Sequence, residues 1–216
     1  HYALMVEVNS ETDFVARDGN FLGFVDTVLG AAFTRRETSV SRLMEGDLET
    51  RRQGLVQKIG ENINVRRAVS LEGAVVGSYV HSNQKIGVLV ALEGGSQALA
   101  RDVAMHVAAA NPQFIAEADV SEEVIAKERE IFTAQAQQSG KPAAIVTKMV
   151  DGRISKFLAE ISLLAQPFVK DPEITVGKLV AQGGGTVKAM VRFEVGEGIE
   201  KEVVDFAAEV AAQLKG

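Results

Sequence analysis

The first third of the chain alternates between strand-like and helix-like patterns of apolar residues. Residues 2–8 predict a strand, and residues 10–13 match the helix-opening pattern Ser-x-x-Asp, whose hydroxyl and carboxylate can cap free backbone amides. The sequence Asp-Gly-Asn at 18–20 then interrupts the helix. A second helix is expected to bury one apolar stripe: Phe21, Phe24, Val25, Val28, Leu29 and Ala32. A charged amphipathic helix and two strands are predicted next, over residues 47–62, 65–71 and 74–80.

The second half of the chain repeats this strand-then-helix order. An offset of 84 places residues 2–6 on residues 86–90, and the sequence Ala-Arg-Asp recurs at that offset, at 16–18 and at 100–102. An offset of 122 superposes another pair of strand-like runs, residues 65–72 and 187–194. Because the two offsets differ by 38 residues, we expect two related subdomains, the second of which carries an insertion of about that length.

The inserted segment has the pattern of a helical hairpin. Residues 120–138 and 143–164 have helical spacing, and Gly140 and Pro142 between them suit the end of one helix and the start of the next. Apolar residues of the second helix follow at spacings of four and three, as in a short antiparallel coiled coil: Val150, Ile154, Phe157, Ile161 and Leu164. We expect this hairpin to project and to contact a partner, with packing inside the protein as the alternative.

Shorter elements complete the predicted fold, which is of the α+β class. A short helix is predicted over residues 173–182 and a final amphipathic helix over residues 201–215. Two related subdomains, each a small antiparallel sheet packed with helices, are expected to carry the inserted coiled-coil hairpin and a C-terminal helix. The predicted units are residues 1–83, residues 84–118 with 166–199, residues 119–165 and residues 200–216.

Composition narrows the class of protein. Of the 216 residues, 46% are apolar, and no apolar run approaches the roughly 18 residues that a membrane span needs, so we expect a soluble protein with no membrane partner. The first residues lack the basic segment of a signal peptide, and the absence of cysteine fits a reducing cytoplasm. The formal net charge is −6 and the basic residues are scattered, so direct nucleic acid binding is not expected.

No group of residues predicts a catalytic or cofactor site. Histidine occurs only at positions 1, 81 and 106, without the spacing of a metal site. The sequence Gly-Gly-Ser-Gln-Ala at 94–98 approaches a nucleophile motif but lacks its last glycine. The glycines at 183–185 fit neither the dinucleotide fingerprint nor the phosphate loop. We therefore expect no catalytic residues, no metal and no cofactor.

Several segments together resemble the bacterial elongation factor Ts family. They are residues 11–16 (ETDFVA), 58–63 (KIGENI), 77–81 (GSYVH) and 192–201 (RFEVGEGIEK), with further matches at 104–109 and 166–169. These matches keep the family's order from one end of the chain to the other. The resemblance implies a guanine nucleotide exchange factor that promotes GDP release from the GTPase elongation factor Tu in translation elongation, and that makes no bonds itself.

One departure from the family concerns the first residues. Family members begin with a small helical ubiquitin-associated-like domain that helps to grip the partner, whereas this sequence opens at the first core strand. The resemblance therefore implies a fragment that lacks this domain and binds elongation factor Tu more weakly than a complete factor.

The resemblance assigns a wedge to the Thr-Asp-Phe-Val motif. In the family, the aspartate and phenylalanine enter between two helices of the partner's nucleotide domain and disturb its magnesium site, which implies this role for Asp13 and Phe14, flanked by Thr12 and Val15. The residues alone leave two alternatives open. Phe14 could be a core residue seven positions before Phe21, and Asp13 could be a helix-capping carboxylate.

Further partner contacts follow from the resemblance. Ile59 and Gly60 would press on the phosphate-side elements of elongation factor Tu, with a helix C-terminal turn as the alternative interpretation. His81 would lie against the same partner helices, with an ordinary surface residue as the alternative, and His106 is expected to be structural. The resemblance implies that the hairpin and the final helix contact either other domains of elongation factor Tu or a second copy of the chain, which would be a homodimer through the hairpin.

A scaffold protein is the alternative function. The acidic charge and the projecting hairpin fit a non-catalytic coiled-coil protein that assembles others equally well. The Asp13-Phe14 tip separates the two interpretations, because a scaffold does not need an aromatic residue on a short interrupted helix.

Overall fold

A computed structural model describes residues 1–199 of the chain. The strands are β1 (Tyr2–Asn9), β2 (Asn64–Glu72), β3 (Val75–Val80), β4 (Ile86–Gly94), β5 (Pro167–Phe168), β6 (Asp171–Thr175) and β7 (Gly185–Glu194). The helices are α1 (Gly19–Arg35), α2 (Val40–Leu43), α3 (Asp47–Ile59), α4 (Gln97–Ala110), α5 (Glu122–Gln137), α6 (Ala143–Ile161) and α7 (Val176–Gln182). The fold is of the α+β class, as predicted. The predicted final helix, residues 201–215, and its unit lie outside the described residues.

Two strand pairs share one register, which confirms the predicted repeat. β1 pairs antiparallel with β2, and β4 pairs antiparallel with β7. The offsets of 84 and 122 map the pair Tyr2–Glu72 of the first sheet onto the pair Ile86–Glu194 of the second. Both pairs also shift register at the equivalent place, after Glu7 in β1 and after Ala91 in β4. Such a bulge bends and twists a strand, so the two sheets have the same local shape.

The second sheet has a third strand, and its order is β3-β4-β7. β3 falls within the predicted first unit, residues 1–83, but its hydrogen bonds go to β4. A division by sheets therefore falls between β2 and β3, and the predicted unit boundaries stay a prediction.

The first core lies between the β1–β2 sheet and helices α1 to α3. α1 begins at Gly19 because the carboxylate of Asp18 accepts hydrogen bonds from the backbone amides of Asn20 (2.8 Å) and Phe21 (3.3 Å). Four residues of the predicted apolar stripe are buried, and Val25 and Leu29 are half-buried beside them: Phe21, Phe24, Val28 and Ala32. Residues from α2, α3, β2 and the loop between α3 and β2 add to this core: Leu43, Leu48, Leu55, Ile63 and Val65.

The second core lies between the β3-β4-β7 sheet and helices α4 and α7. β4 is buried continuously from Val88 to Leu92, as expected for a strand covered on both faces. A Cβ atom at Gly77 in β3 would overlap the backbone of Ala100 in α4, so only glycine allows this close contact between strand and helix.

His106 is a buried structural residue of α4, in agreement with the sequence analysis. Its Nδ1 accepts a hydrogen bond from the backbone amide of Val169 (3.1 Å), so Nε2 carries the proton and donates it to Oε1 of Gln166 (2.8 Å). Burial lowers the pKa of His106, although the hydrogen bond to Gln166 opposes this shift. The neutral imidazole therefore holds the segment after α6 against the second core.

The inserted hairpin consists of α5 and α6, and it has a small core of its own. Ala136, Val146, Val150 and Ile154 are buried in it, and the rings of Phe132 and Phe157 lie 6.3 Å apart. The predicted seam extends too far at its end. α6 stops at Ile161, so Leu164 lies in a 3-10 turn and packs against the second core instead.

The predicted helix over residues 173–182 begins later in the structure. Residues 173–175 belong to β6, and Thr175 caps α7 by accepting a hydrogen bond from the amide of Lys178 (3.3 Å). A cap residue has extended backbone geometry, which prevents the helix from starting before Val176. Within residues 1–199, every helix is too short or too polar to cross a lipid bilayer.

A buried carboxylate joins the first sheet to the segment after β7. Glu7 is 3% exposed, forms ion pairs with Arg66 (3.1 Å) and Arg67, and accepts a hydrogen bond from the amide of Gly196 (3.0 Å). Arg66 also donates to the backbone carbonyl of Glu197 in this segment, and Arg67 donates to that of Glu194 at the end of β7 (3.2 Å). Burial acts to raise the pKa of Glu7, but the Gly196 amide and the two guanidinium groups outweigh it, so the pKa is lowered.

Candidate functional site

The loop between β1 and α1 carries an unusually exposed aromatic side chain. Phe14 is 89% exposed, more than any other large apolar residue between positions 1 and 199. The interpretation of Phe14 as a core residue is therefore wrong. An exposed phenylalanine that later inserts into an apolar pocket removes a large area from water, which makes it a suitable anchor for a protein partner.

The helix predicted to open at residues 10–13 does not form. Only a three-residue 3-10 turn, Val15–Arg17, follows, because Asp18 then caps α1. The hydroxyl of Ser10 donates to the backbone carbonyl of Thr12 (3.1 Å) instead of capping a helix. Asp13 does not cap this turn either. Residues 10–14, the tip, therefore form a loop.

Val15 fixes the tip to the first core. It is 8% exposed and packs among the apolar residues between the first sheet and its helices. Its backbone amide donates to the hydroxyl of Thr12 (3.4 Å). The neighbours Phe14 and Val15 thus point in opposite directions, one into solvent and one into the protein.

Two carboxylates fasten the tip to the segment after α3. Glu61 accepts hydrogen bonds from both the backbone amide (3.0 Å) and the hydroxyl (2.7 Å) of Thr12. In the opposite direction, Glu11 accepts one from the backbone amide of Asn62 (2.9 Å). Each loop therefore supplies a carboxylate to a backbone donor of the other.

Ile59 and Gly60 lie at the end of α3, beside this connection. Gly60 has a left-handed backbone (φ 83°), and its amide donates to the carbonyl of Val56 (2.8 Å). Ile59 is half-buried against the first core. The interpretation of these residues as a helix C-terminal turn is confirmed. Their predicted contact with a partner stays a prediction.

His81 begins the turn between β3 and β4, and it is exposed. Its Nδ1 lies 3.1 Å from the hydroxyl of Tyr79, and the two rings are 6.1 Å apart. Val80 between them is 64% exposed. The imidazole of His81 and the apolar side chain of Val80 are therefore both accessible to solvent at the start of the turn.

An ion pair brings this turn to the tip. Lys85, at the end of the turn, places its Nζ 2.8 Å from the carboxylate of Asp13. The hydrogen bond and the charge of Lys85 lower the pKa of Asp13, so this carboxylate is ionised at neutral pH. The contacts of the tip therefore go to residues next to the other predicted ones: Glu61 follows residues 59–60, and Lys85 ends the turn that His81 begins.

Three residues of this region were missed by the sequence analysis. Glu61 lies inside the KIGENI motif, which offered a signal, but its partner Thr12 is 49 positions away in the sequence. Val80 lies in the GSYVH motif, and the apolar pattern of its strand gave no sign that it would be exposed. Lys85 is one lysine among many, and nothing in the sequence distinguishes it.

Two observations concern possible ligand sites in the described residues. In the part of the chain that the structure describes, no three His, Cys, Asp or Glu side chains are grouped so that they could hold a metal ion. An open groove of about 320 Å³ lies between α1 and α3, over Phe24 and Leu55, and its rim includes Arg51 and Lys58. None of these four residues is among the predicted contacts.

Comparisons with known proteins agree on one family. The family model described as "Elongation factor TS" matches residues 11–197. The elongation factor Ts of Hahella chejuensis is 71% identical over 215 residues, which cover 100% of this chain and 75% of that protein. The elongation factor Ts of Marinobacter nauticus is 60% identical over 97% of this chain and 73% of its own length, and that of Cellvibrio japonicus is 60% identical over 99% and 73%.

Proposed function

The chain belongs to the elongation factor Ts family, and from this premise we propose that it is a guanine nucleotide exchange factor for elongation factor Tu in translation elongation. It promotes the release of GDP from that GTPase in the cytoplasm. It makes and breaks no covalent bond, and it needs no cofactor.

The exposure of Phe14 is the observation that carries the proposal. A phenylalanine that is 89% exposed gives up a favourable apolar burial in the free protein, and it recovers this energy when a partner provides a pocket. In the proposed complex, Phe14 enters between two helices of the GTPase's nucleotide domain. Val15 and Thr12 hold the backbone behind it, so the insertion displaces the partner's helices rather than the tip.

Asp13 supplies the charge beside this wedge. Its carboxylate is ionised, and in the free chain Lys85 balances it. On binding, Asp13 approaches the elements that hold the magnesium ion of the GTPase and disturbs them. Loss of magnesium contacts weakens the binding of a nucleoside diphosphate, because the ion neutralises part of the phosphate charge.

The other predicted contacts surround the tip. Ile59 and Gly60 press on the phosphate-side elements of the GTPase, and His81 lies against the same helices as Phe14. The connections from Thr12 to Glu61 and from Asp13 to Lys85 support this arrangement, because they link the three segments in the free chain. The α5–α6 hairpin contacts other domains of the GTPase or a second copy of this chain.

Exchange follows from these contacts by thermodynamic linkage. A factor that binds the nucleotide-free GTPase more tightly than the GDP-bound form must weaken GDP binding by the same ratio. Each tenfold change corresponds to about 1.4 kcal/mol. GDP then leaves, and GTP displaces the factor when it binds.

The test is the release of a fluorescent GDP analogue from purified elongation factor Tu, measured with the unaltered chain and with Phe14→Ala. We expect Phe14→Ala to weaken the complex with the nucleotide-free GTPase by about 1–3 kcal/mol. Stimulated release at low factor concentration should then fall about 5- to 150-fold. Phe33→Ala is the matched control, because Phe33 is also exposed and lies at the other end of α1.

The outcomes separate the two functions. Reduced release with Phe14→Ala and normal release with Phe33→Ala would support the wedge. Equal release by all three chains would contradict the role of Phe14. No acceleration by the unaltered chain would contradict exchange activity and favour a coiled-coil scaffold.

A further inference from the structure

We propose that Glu61 is a positioning residue for nucleotide exchange, which fixes the tip so that Phe14 is presented in one orientation. Glu61 does not act on the nucleotide or on magnesium; it acts through Thr12. The inference rests on the proposed exchange function and adds a residue to it.

The geometry at Thr12 is the first step. The two carboxylate oxygens of Glu61 accept hydrogen bonds from Thr12, one from its backbone amide (3.0 Å) and one from its hydroxyl (2.7 Å). Hydrogen bonds to an ionised acceptor are stronger than neutral ones, and two of them fix direction as well as distance. Thr12 lies two residues before Phe14, so the backbone on one side of the aromatic residue is held in place.

The connection is reciprocal, which gives it stiffness. Glu11 of the tip accepts a hydrogen bond from the backbone amide of Asn62, the residue after Glu61. The next residue, Ile63, is fully buried in the first core. The segment that holds the tip is therefore itself anchored, and the tip cannot shift along it without breaking both connections.

The ion pair between the tip and Lys85 is a weaker attachment. Asp13 is held by a single ion pair with Lys85, and both side chains are largely exposed. Exposed ion pairs contribute little, because water screens the charges and a lysine side chain loses entropy when it is fixed. Glu61 binds the backbone amide of Thr12 as well as its hydroxyl, whereas Lys85 reaches the tip only through the side chain of Asp13, so Glu61 contributes more to the orientation of the tip.

The orientation of Phe14 matters because ordering a mobile loop on binding costs conformational entropy. If Phe14 sampled many positions, part of its burial energy would be lost in ordering the loop. A fixed tip avoids this loss. Removal of Glu61 should therefore raise the factor concentration that gives half-maximal release and leave the rate at saturation nearly unchanged.

The experiment compares Glu61→Ala and Glu61→Gln with the unaltered chain. Glutamine keeps one acceptor for the Thr12 amide and can donate to its hydroxyl, so it should restore much of the function that alanine removes. Glu45→Gln is the control. Glu45 is exposed and lies on the turn before α3, about 20 Å away along the helix from Glu61.

Two measurements are made on each chain. The first is hydrogen exchange at the Thr12 amide in the free protein, which measures how well Glu61 holds this amide when no GTPase is present. The second is the stimulated release of fluorescent GDP from elongation factor Tu over a range of factor concentrations. For Glu61→Ala we expect faster exchange at Thr12 and a half-maximal concentration raised about three- to tenfold.

Each outcome is decisive. Faster amide exchange together with a raised half-maximal concentration supports positioning. Faster amide exchange with unchanged release would overturn it, and so would weakened release with an unchanged Thr12 amide, because Glu61 would then act by direct contact. If the unaltered chain did not accelerate GDP release, the exchange function itself would be overturned. Hydrogen exchange at the Thr12 amide distinguishes this result from a failure of Glu61 to hold the tip, because it is measured on the free protein.

Discussion

The two halves of the repeat enter their first helical turn in the same way. At the offset of 84, Thr12 corresponds to Ser96, and each hydroxyl accepts a hydrogen bond from the amide three residues later, at 3.4 and 3.1 Å. The donors, Val15 and Leu99, are both 8% exposed. The same local arrangement therefore anchors the chain to the core in each half.

The halves differ in the residue just before the anchor. Phe14 occupies this position in the first half and Ala98 in the second, and both are exposed. In the second half the helix continues as α4, whereas in the first half Asp18 begins a new helix after a short turn. The repeat thus provides an exposed position, and one aromatic side chain on a loop distinguishes the first half.

The largest expected effects come from removing the anchors. Leu99→Ala should lower the free energy of unfolding by about 3 kcal/mol and Val15→Ala by about 2 kcal/mol, because both changes leave a cavity and the valine is smaller. Urea denaturation measures both losses. Only Val15→Ala should also slow GDP release under folding conditions, because it loosens the backbone behind Phe14.

This pair of variants tests whether the two positions share a structural role but not a functional one. Slower release with Leu99→Ala, measured where the variant is fully folded, would show that the second half also contributes to the wedge. Unchanged release with Val15→Ala would show that hydrogen bonds alone hold the tip.

Substitution of Glu7 should have the next largest effect on folding stability. Its position is also a second place where the two halves carry different residues. Its equivalent in β4 is Ala91, which is also buried. Glu7→Ala leaves Arg66 and Arg67 without their buried partner, so we expect a loss of about 2 kcal/mol, below the usual range for buried pairs because both arginines are partly exposed. Glu72→Ala removes the exposed ion pair that Glu72 forms with Arg36 (2.9 Å), and it should cost less than about 0.5 kcal/mol.

The contribution of Glu7 should also depend on pH. Because the pKa of Glu7 is lowered in the folded chain, its stabilisation is complete above the ordinary value of 4.5 and is lost as pH falls through the lowered folded value. Urea denaturation of the unaltered chain and of Glu7→Ala at pH 7 and at acid pH measures this. If the difference in unfolding free energy between the two chains were the same at both pH values, the stabilisation would not depend on the ionised carboxylate of Glu7.

Much of the fold could be predicted from the sequence because it depends on local patterns. The apolar stripe of α1, the hairpin and the two offsets are all visible as spacing, and the offsets hold down to individual strand pairs. The errors lie where tertiary contacts decide an element's end. Leu164 and residues 173–175 fit a helical spacing, but a 3-10 turn, β6 and the cap Thr175 interrupt it.

The site was less predictable because its connections join distant parts of the chain. Spacing alone allowed Phe14 to be a core residue, and only the family resemblance favoured exposure. The partners Thr12 and Glu61 are 49 residues apart, and Asp13 and Lys85 are 72 apart, so no periodic pattern relates them. Hydrogen bonds that depend on the fold become visible only when the fold is known.

The smallest expected effect comes from moving the aromatic residue between the halves. In a chain with Phe14→Ala, the change Ala98→Phe creates an exposed phenylalanine at the equivalent position of the second half. We expect it to cost only about 0.5 kcal/mol of stability, the difference in helix propensity, and to restore no GDP release. Recovery of release would show that any exposed aromatic residue suffices. If release is not recovered, an exposed aromatic residue at the equivalent position is insufficient, and the loop held by Thr12 and Val15 must present the side chain.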